Sequence, residues 1–391
     1  MTREGPAHRA EQPRRLRKIL ERIGIGLLVI AVILGTAGYF YYRHLEGNIE
    51  VIAPKLGNDR PNPGPKGPLN ILLLGSDERV AGGGVIGQGG DLSDTTILLH
   101  LSADRSRAYG VSIPRDLLVD RPECAGKNDG DPDVPAASDV QFNTAFQVGG
   151  PSCTWRTVES MTKIRVDHVV VVQFDGFKRM VDALSGVPVC VPKAIDDDEH
   201  KIHLRAGSYD ISGDEALTYV RARYGIGDGS DLSRIKRQQA FMAAMVNKAV
   251  SLGTLINPVK LVRFLEAVTD SIQTDPGLAK LSKLRALAFQ VRHIGLSRVK
   301  FLTMPITAAP EDPNRVVAAP GATTLWLQIK NDAKLNQKQL EGSFSADEPQ
   351  GGPTASPSGS PSGSPSGSPS SSPSPSPSED AAAREAVGLC A

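Results

Sequence analysis

The stretch Leu69-Asn70-Ile71-Leu72-Leu73-Leu74 runs directly into Gly75-Ser76-Asp77. A six-residue run with five apolar residues spread over both faces, closed by a turn of small and acidic residues, reads as a strand buried on two sides. Residues 95–102, 108–113, 168–173 and 187–191 read the same way. A sheet with two buried faces needs helices on both. Helical periodicity supplies them at 152–164, 174–184, 258–272, 278–292 and 323–340. Ser212-Gly213-Asp214-Glu215 has the spacing of a capping box that opens a short helix, and Asp231 reads as the N-cap of a long helix reaching about residue 252. A late strand is expected at 299–304. The fold class is therefore α/β.

The chain has 391 residues and a net charge of +1, so any cationic site must come from local clustering. Residues 23–42 carry no charge and lie between Arg22 and Arg43. Twenty helical residues at about 1.5 Å each match a bilayer core of about 30 Å. Arg14, Arg15, Arg17, Lys18 and Arg22 precede this segment, which predicts a cytoplasmic N-terminus (1–22) and an external remainder. A cleaved signal peptide is the rival reading. Its apolar region is ordinarily shorter and ends in a small-x-small site, whereas Tyr39-Phe40-Tyr41-Tyr42 suits an interfacial belt. Residues 43–67 read as a Pro/Gly-rich stalk, 68–341 as the external domain, 342–379 as a disordered Ser/Gly/Pro linker and 380–391 as a short terminal segment. Outside the membrane disulfides persist. Cys124 and Cys153 flank a Gly/Asp/Pro-rich loop that a bridge would tie down, which leaves Cys190 and Cys390 for each other. Cys190 also reads as a buried thiol.

Four places are expected to converge at one rim of the sheet: Gly75-Ser76-Asp77, Ser93-Asp94-Thr95, Ile113-Pro114-Arg115-Asp116, and the stretch from Thr218 to Gln239. The last holds Arg221, Arg223, Arg234, Lys236, Arg237 and Gln238 within eighteen residues. Arginine's planar fork matches phosphate oxygens two at a time, so this reads as a pocket for a phosphate-rich ligand. Arg221 and Arg223 share a side only in extended backbone, so the preceding helix is expected to end near Val220. Arg234 and Gln238 share a helix face with Asp231 at its start, where amide groups favour anions. Each feature has a structural alternative: a turn salt bridge at Arg115-Asp116, a surface Arg221, a cap at Asp231. Gly82-x-Gly84-x-x-Gly87 has the string of a dinucleotide fingerprint but no helix after it, and reads as a loop. The histidines lack metal-ligand spacing, and His100 reads as a satisfied core or interface residue.

Taken together, these residues resemble the LytR-CpsA-Psr family of bacterial envelope proteins. The matching strings are Asn70 to Asp77, Ser93-Asp94-Thr95, Ser112-Ile113-Pro114-Arg115-Asp116, Phe142-Asn143-Thr144-Ala145-Phe146, Asp182 to Val187, Tyr219-Val220-Arg221-Ala222-Arg223 and Asp231 to Gln239, in order over residues 68–250. The resemblance implies a mixed, largely antiparallel sheet covered by helices on both faces. Residues 251–341 are expected to form a helical extension, and the resemblance implies that sheet and helices enclose an apolar channel for a polyprenyl chain. It further implies a phosphotransferase moving a glycopolymer from a polyprenyl-pyrophosphate carrier to a peptidoglycan hydroxyl, leaving a phosphodiester. Asp77 and Asp94 would hold Mg²⁺, or Mn²⁺, against the pyrophosphate. Arg115, Arg221, Arg223, Arg234 and Gln238 would bind its oxygens. Asp116 and Asp231 would position those arginines, with Arg237 in support.

The family usually places arginine two residues before the aspartate of Ser-Asp-Thr, where this chain has Leu92. The missing contact is expected from Arg79 or Arg105, or is lost. The chemistry agrees with the implied class: displacement at phosphorus needs charge neutralisation and in-line positioning, and hard carboxylates with phosphate oxygens suit Mg²⁺. Either Asp94 or Asp231 could serve as the base. Two rival readings use the same residues: a non-catalytic regulator that binds lipid pyrophosphates, and a pyrophosphatase. Nucleic acid is not an expected partner, because the basic cluster lies outside the membrane.

Overall fold

The computed structural model describes residues 12–76, 93–198, 202–222, 226–251, 258–349 and 384–390. Asp77, Arg79, Leu92, Arg223, the Gly82-to-Gly87 string and most of the Ser/Gly/Pro segment lie outside them. The chain divides into two units, Met1–Asn48 and Ile49–Ala391. The first contains a single helix, α1 (Gln12–Gly47). Its Lys18–Gly47 portion, 30 residues with none of its apolar window buried, is long and apolar enough to cross a membrane.

The second unit is built on an eight-stranded sheet. Its strands in chain order are β1 (Glu50–Val51), β2 (Leu69–Ser76), β3 (Ser93–Leu101), β4 (Ala108–Ile113), β5 (His168–Gln173), β6 (Ile272–Thr274), β7 (Val299–Thr303) and β8 (Phe344–Ser345). In space they run β1-β6-β5-β2-β3-β4-β7-β8. Four of the seven pairings are antiparallel, so the sheet is mixed as expected. The apolar run that reads as a doubly buried strand is β2, near the middle. Its even positions, Leu72 and Leu74, join one core with Leu98, Tyr109, Val111 and Ile113. On the other face Leu69 and Leu99 pack with Leu101, Ala108 and Phe301. Gly110 is needed where β4 meets β7: a Cβ there would lie 2.6 Å from the ring of Phe301.

Helix α2 (Thr144–Thr162) covers the first face. It starts well before the expected residue 152 because two helices merge across a kink at Gly149-Gly150, just before Pro151. Helix α3 (Phe174–Ala183) follows β5 as expected, and α4 (Gly213–Arg221) opens with Glu215 accepting the Ser212 N–H at 2.8 Å. Helix α5 (Asp231–Ser251) lies against the second face, where Ala240 and Ala243 meet Phe301. Helix α6 (Pro258–Thr269) ends three residues before the expected 272, and Ile272 instead opens β6, which pairs with β1 on one side and β5 on the other. Helix α7 (Leu281–Ile294) joins α5 on the second face. Helix α8 (Pro320–Lys330) packs beside α2 on the first and stops ten residues short of the expected end, because Asp332 takes a positive φ of 52°. A separate core forms where α3, α4 and the hairpin of Val187–Val191 with Gly207–Ile211 meet Phe241 and Ala244 of α5.

Both cysteine pairs are bridged, Cys124–Cys153 and Cys190–Cys390, with Cα separations of 5.2 and 5.6 Å. Folded structure continues past Gly342, since Phe344 pairs with Phe301 and Ala346 is fully buried. Residues 384–390 return to the domain, with Leu389 fully buried in the core of the second face.

The segment that reads as a stalk belongs to the fold from Ile49 onward. Val51 pairs with Thr274, and Ile52 and Leu56 pack on the first core. Arg60 makes two bonds to Glu159, at 2.6 and 3.0 Å, and lies 5.1 Å above the Trp155 ring. Glu159 is almost fully buried and also accepts from Trp155 Nε1 and the Val166 N–H. The buried carboxylate is thus satisfied by four donors, and removing it strands a partly buried guanidinium. Glu159→Ala should therefore cost about 3 kcal/mol in urea unfolding of the domain starting at Ile49. In a domain starting at Pro68 the same substitution should cost far less, because Arg60 is gone.

Candidate functional site

The rim follows from strand register. In the β3–β4 hairpin Thr96 pairs with Ile113, so Asp94 and Arg115, each two residues further out, remain opposed. Arg115 Nη1 donates to Asp94 Oδ1 at 3.0 Å. On the other side of β3, Ser93 pairs with Ser76, and Ser76 pairs in turn with Gln173 at the end of β5. Phe174 follows at once, and the Arg221 guanidinium stacks over its ring at 4.5 Å. The ends of β2, β3, β4 and β5 thus form one edge, with α4 delivering Arg221 to it.

Helix α5 brings the remaining charges. Its Gln239 amide donates to Ser112 Oγ and Thr303 Oγ1, both at 2.9 Å, which fixes the helix across β4 and β7. Ser230, not Asp231, caps the helix: Ser230 Oγ accepts the Ser233 N–H at 3.1 Å. Asp231 sits in the first turn with its carboxylate free of capping. Its Oδ1 lies 2.6 Å from Arg234 Nη2 and 3.4 Å from Arg115 Nε. Asp116 Oδ2 is also 3.4 Å from Arg115 Nε. One guanidinium therefore faces three carboxylates.

This crowding has electrostatic consequences. Burial raises the Asp231 pKa, the neighbouring charges of Asp116 and Asp94 raise it further, and Arg234 and Arg115 oppose them. Burial likewise lowers the Arg234 pKa, against the pull of Asp231. Arg234 is 3 % exposed, and its Nε and Nη2 hydrogens meet no aligned acceptor among the described residues. A buried guanidinium with open donors is suited to an oxyanion. Carboxylates gathered beside it are the oxygen donors that a hard divalent cation prefers.

Of the residues expected at the site, Asp94, Arg115, Asp116, Asp231 and Arg234 come together here. Arg221 lies along the same edge. Gln238 instead donates its amide to the Val220 carbonyl at 3.1 Å, tying α5 to the last turn of α4. That helix ends at Arg221, one residue later than expected, and Ala222 turns to ψ 132°. Arg237 is fully buried and faces backbone carbonyls. Arg105 does not supply the contact missing at Leu92: it bonds Gln290 and the Gly67 carbonyl at the other end of the β3–β4 hairpin. A cavity of about 560 Å³ lies at that far end, between Leu69, His168, Leu287 and Gln290. His100 bonds Asn70 and Asp332 and is a satisfied core residue, as expected.

Two residues escaped the sequence reading. Arg315 Nη1 reaches Asp116 Oδ1 at 3.4 Å, and Gln141 Nε2 donates to the same oxygen at 3.0 Å. Gln141 ends a hairpin strand just before the quoted Phe142-Asn143 string, a proximity that could have flagged it. Arg315 lies in a loop after β7, beyond every quoted string, and carries no local signal.

Removing Arg115 leaves the three carboxylates facing one another. Arg115→Met should cost about 2 kcal/mol at pH 7. The deficit should shrink toward pH 4. Loss of the guanidinium raises the folded pKa of Asp231 further, and stability linked to a raised carboxylate pKa is present below the unfolded pKa and lost as pH rises through the folded one. Urea unfolding at both pH values checks this, and an equal deficit at both would refute it.

Comparison with known proteins shows the family and the fold. The model of the LytR_cpsA_psr family matches residues 40–340. The cell wall biosynthesis protein LcpA of Corynebacterium glutamicum is 32% identical over 267 residues, covering 62% of this chain and 51% of that protein, so the match spans about half of that relative's length. The polyisoprenyl-teichoic acid–peptidoglycan teichoic acid transferase TagV of Bacillus subtilis is 28% identical over 305 residues, covering 75% and 72%. The solved LytR-Csp2A-Psr enzyme from Actinomyces oris shares the fold with a TM-score of 0.55, at 20% identity over 72% of this chain and 96% of that one.

Proposed function

The chain belongs to the LytR_cpsA_psr family, and on that premise we propose that it is a membrane-anchored phosphotransferase. It would move a glycopolymer from a polyprenyl-pyrophosphate carrier to a hydroxyl of peptidoglycan on the outer side of the membrane. The observation that carries this reading is the edge where Arg115 and the buried, donor-rich Arg234 meet the carboxylates of Asp94, Asp116 and Asp231. Relatives named as teichoic acid transferases support it.

In this reading Arg115, Arg221 and Arg234 bind the pyrophosphate oxygens, and Arg223 joins them. The acceptor hydroxyl oxygen attacks the phosphorus that bears the glycan. A new P–O bond forms, the bond to the bridging oxygen breaks, and polyprenyl phosphate leaves. The hydroxyl proton passes to a carboxylate, and Asp231, whose pKa burial raises, is suited to take it. Fixed guanidiniums need no reorganisation as charge shifts toward the leaving oxygen. Asp94, with Asp77, would hold Mg²⁺, and the ion would neutralise pyrophosphate charge when bound.

Purified protein, a lipid-linked oligosaccharide and a peptidoglycan acceptor test the reading. Arg115→Ala and Arg221→Ala should each lower turnover by about 10²-fold or more. Polymer attached to peptidoglycan is the expected product. Free phosphorylated polymer would make the protein a hydrolase, and unchanged substrate a binding protein.

The pH profile of kcat/KM should carry an acid limb above the ordinary aspartate value of about 3.9, since an ionised Asp231 holds both arginines and accepts the proton. Arg234→Gln removes the strongest neighbouring influence favouring that ionised form, so the limb should move to still higher pH. A limb that stays fixed in this variant would assign the titration elsewhere.

A further inference from the structure

The arginine stretch is held from behind by the far end of the chain. Arg237 of α5 is fully buried and forms no ion pair among the described residues. Its Nη2 donates to the Ala222 carbonyl, and its Nη1 to the carbonyls of Ile226 at 3.1 Å and Val387 at 3.5 Å. Ala222 and Ile226 bracket the residues that include Arg223, and Ala222 directly follows Arg221. Val387 belongs to the C-terminal segment. One side chain thus fastens both ends of the arginine loop to residues more than 150 positions later.

That segment is fitted closely. Val387 and Leu389 pack with Ala240 and Ala243 of α5. Gly388 has φ 78°, and a Cβ there would lie 2.3 Å from Ile226 Cγ2. Gly227 has φ 67°, and a Cβ there would lie 2.8 Å from the Val387 carbonyl carbon. Only glycine at both positions allows loop and segment to touch backbone to backbone. The next residue, Cys390, is bridged to Cys190, whose strand shares a core with Tyr219, Ala222 and Ile226. Burial lowers the Arg237 pKa to about 10.

We propose that residues 384–390 are a positioning strap: docked against Arg237 and locked by Cys190–Cys390, they hold Ala222 and Ile226, and with Ala222 the adjoining Arg221, in the positions that pyrophosphate binding requires. This rests on the function proposed above and adds a condition to it. The site is complete only once the chain end has docked and its disulfide has formed, which confines ligand binding to an oxidising compartment. The low-complexity residues between 350 and 383 then join two points of one domain.

The test uses full-length protein with a site for a sequence-specific protease inserted within 350–383, in wild-type and Cys390→Ser forms. Geranylgeranyl pyrophosphate binding is measured by calorimetry before and after cleavage. Cut wild type should bind as the uncut protein does. Cut Cys390→Ser should shed the strap on gel filtration and bind about tenfold more weakly or worse, as expected when preorganisation is lost. A synthetic peptide of residues 380–391, joined to the vacant Cys190 with oxidised glutathione, should restore binding, which an unfolded domain could not do. Retention of the strap by cut Cys390→Ser would refute the lock. Undiminished binding after the strap is shed, or failure of the linked peptide to restore it, would refute the positioning role. If uncut wild type fails to bind the probe, the pyrophosphate reading fails and takes this proposal with it.

Discussion

A guanidinium shared among carboxylates organises this domain. Arg115 reaches Asp94 across a hairpin, Asp116 beside it in sequence, and Asp231 on a helix more than a hundred residues later. No single pair in this set is deep enough to be strongly stabilising on its own. As a set they decide where α5 begins relative to β3 and β4, and so where Arg234 points. The remaining architecture serves that placement. The alternating face of β2 supports the hairpin, the kinked α2 backs it, and Gln239 fixes the helix across two strands.

The two buried arginines of α5 divide the labour. Arg234 keeps N–H groups without aligned acceptors and faces the carboxylates of the rim, whereas Arg237 spends both of its Nη groups on carbonyls. They are three residues apart and lie on neighbouring parts of one helix. Both are desolvated, yet Arg234 leaves Nε and Nη2 without an aligned acceptor and Arg237 only Nε. The difference comes from their surroundings: Arg234 has Asp231 in the same helical turn, and Arg237 has the backbone of the loop that precedes the helix.

Much of this was legible in the sequence, for identifiable reasons. Strands β2 to β5 announce themselves because both of their faces are apolar, and the turns that close them carry the polar residues that meet at the rim. The Cys124–Cys153 bridge follows from the loop its cysteines flank, whereas Cys190 also read as a buried thiol and only the fold pairs it with Cys390. Other features were hidden by the way local signals compete. Asp231 has the composition of a cap, but Ser230 one residue earlier is the cap, which frees the carboxylate for Arg115. The strands β6 and β8 have three and two residues, too few for an alternating pattern. Arg315 has no motif around it, and only tertiary folding brings it to Asp116. The segment after α1 looked like a tether because Pro and Gly dominate it. What overrides composition there is one buried glutamate, Glu159, that needs Arg60.

The outer strands of the sheet carry a further consequence. Its two edges are β1 and β8, each only two residues long. An exposed strand edge is a row of unpaired backbone donors and acceptors that can recruit a strand from another chain. Two-residue edges offer almost no such template, although interior strands of the same sheet run to nine residues. In the membrane-anchored reading proposed above, copies of the protein meet one another repeatedly on a surface rather than in a volume. A sheet with abbreviated borders can be crowded there and remain a set of separate molecules.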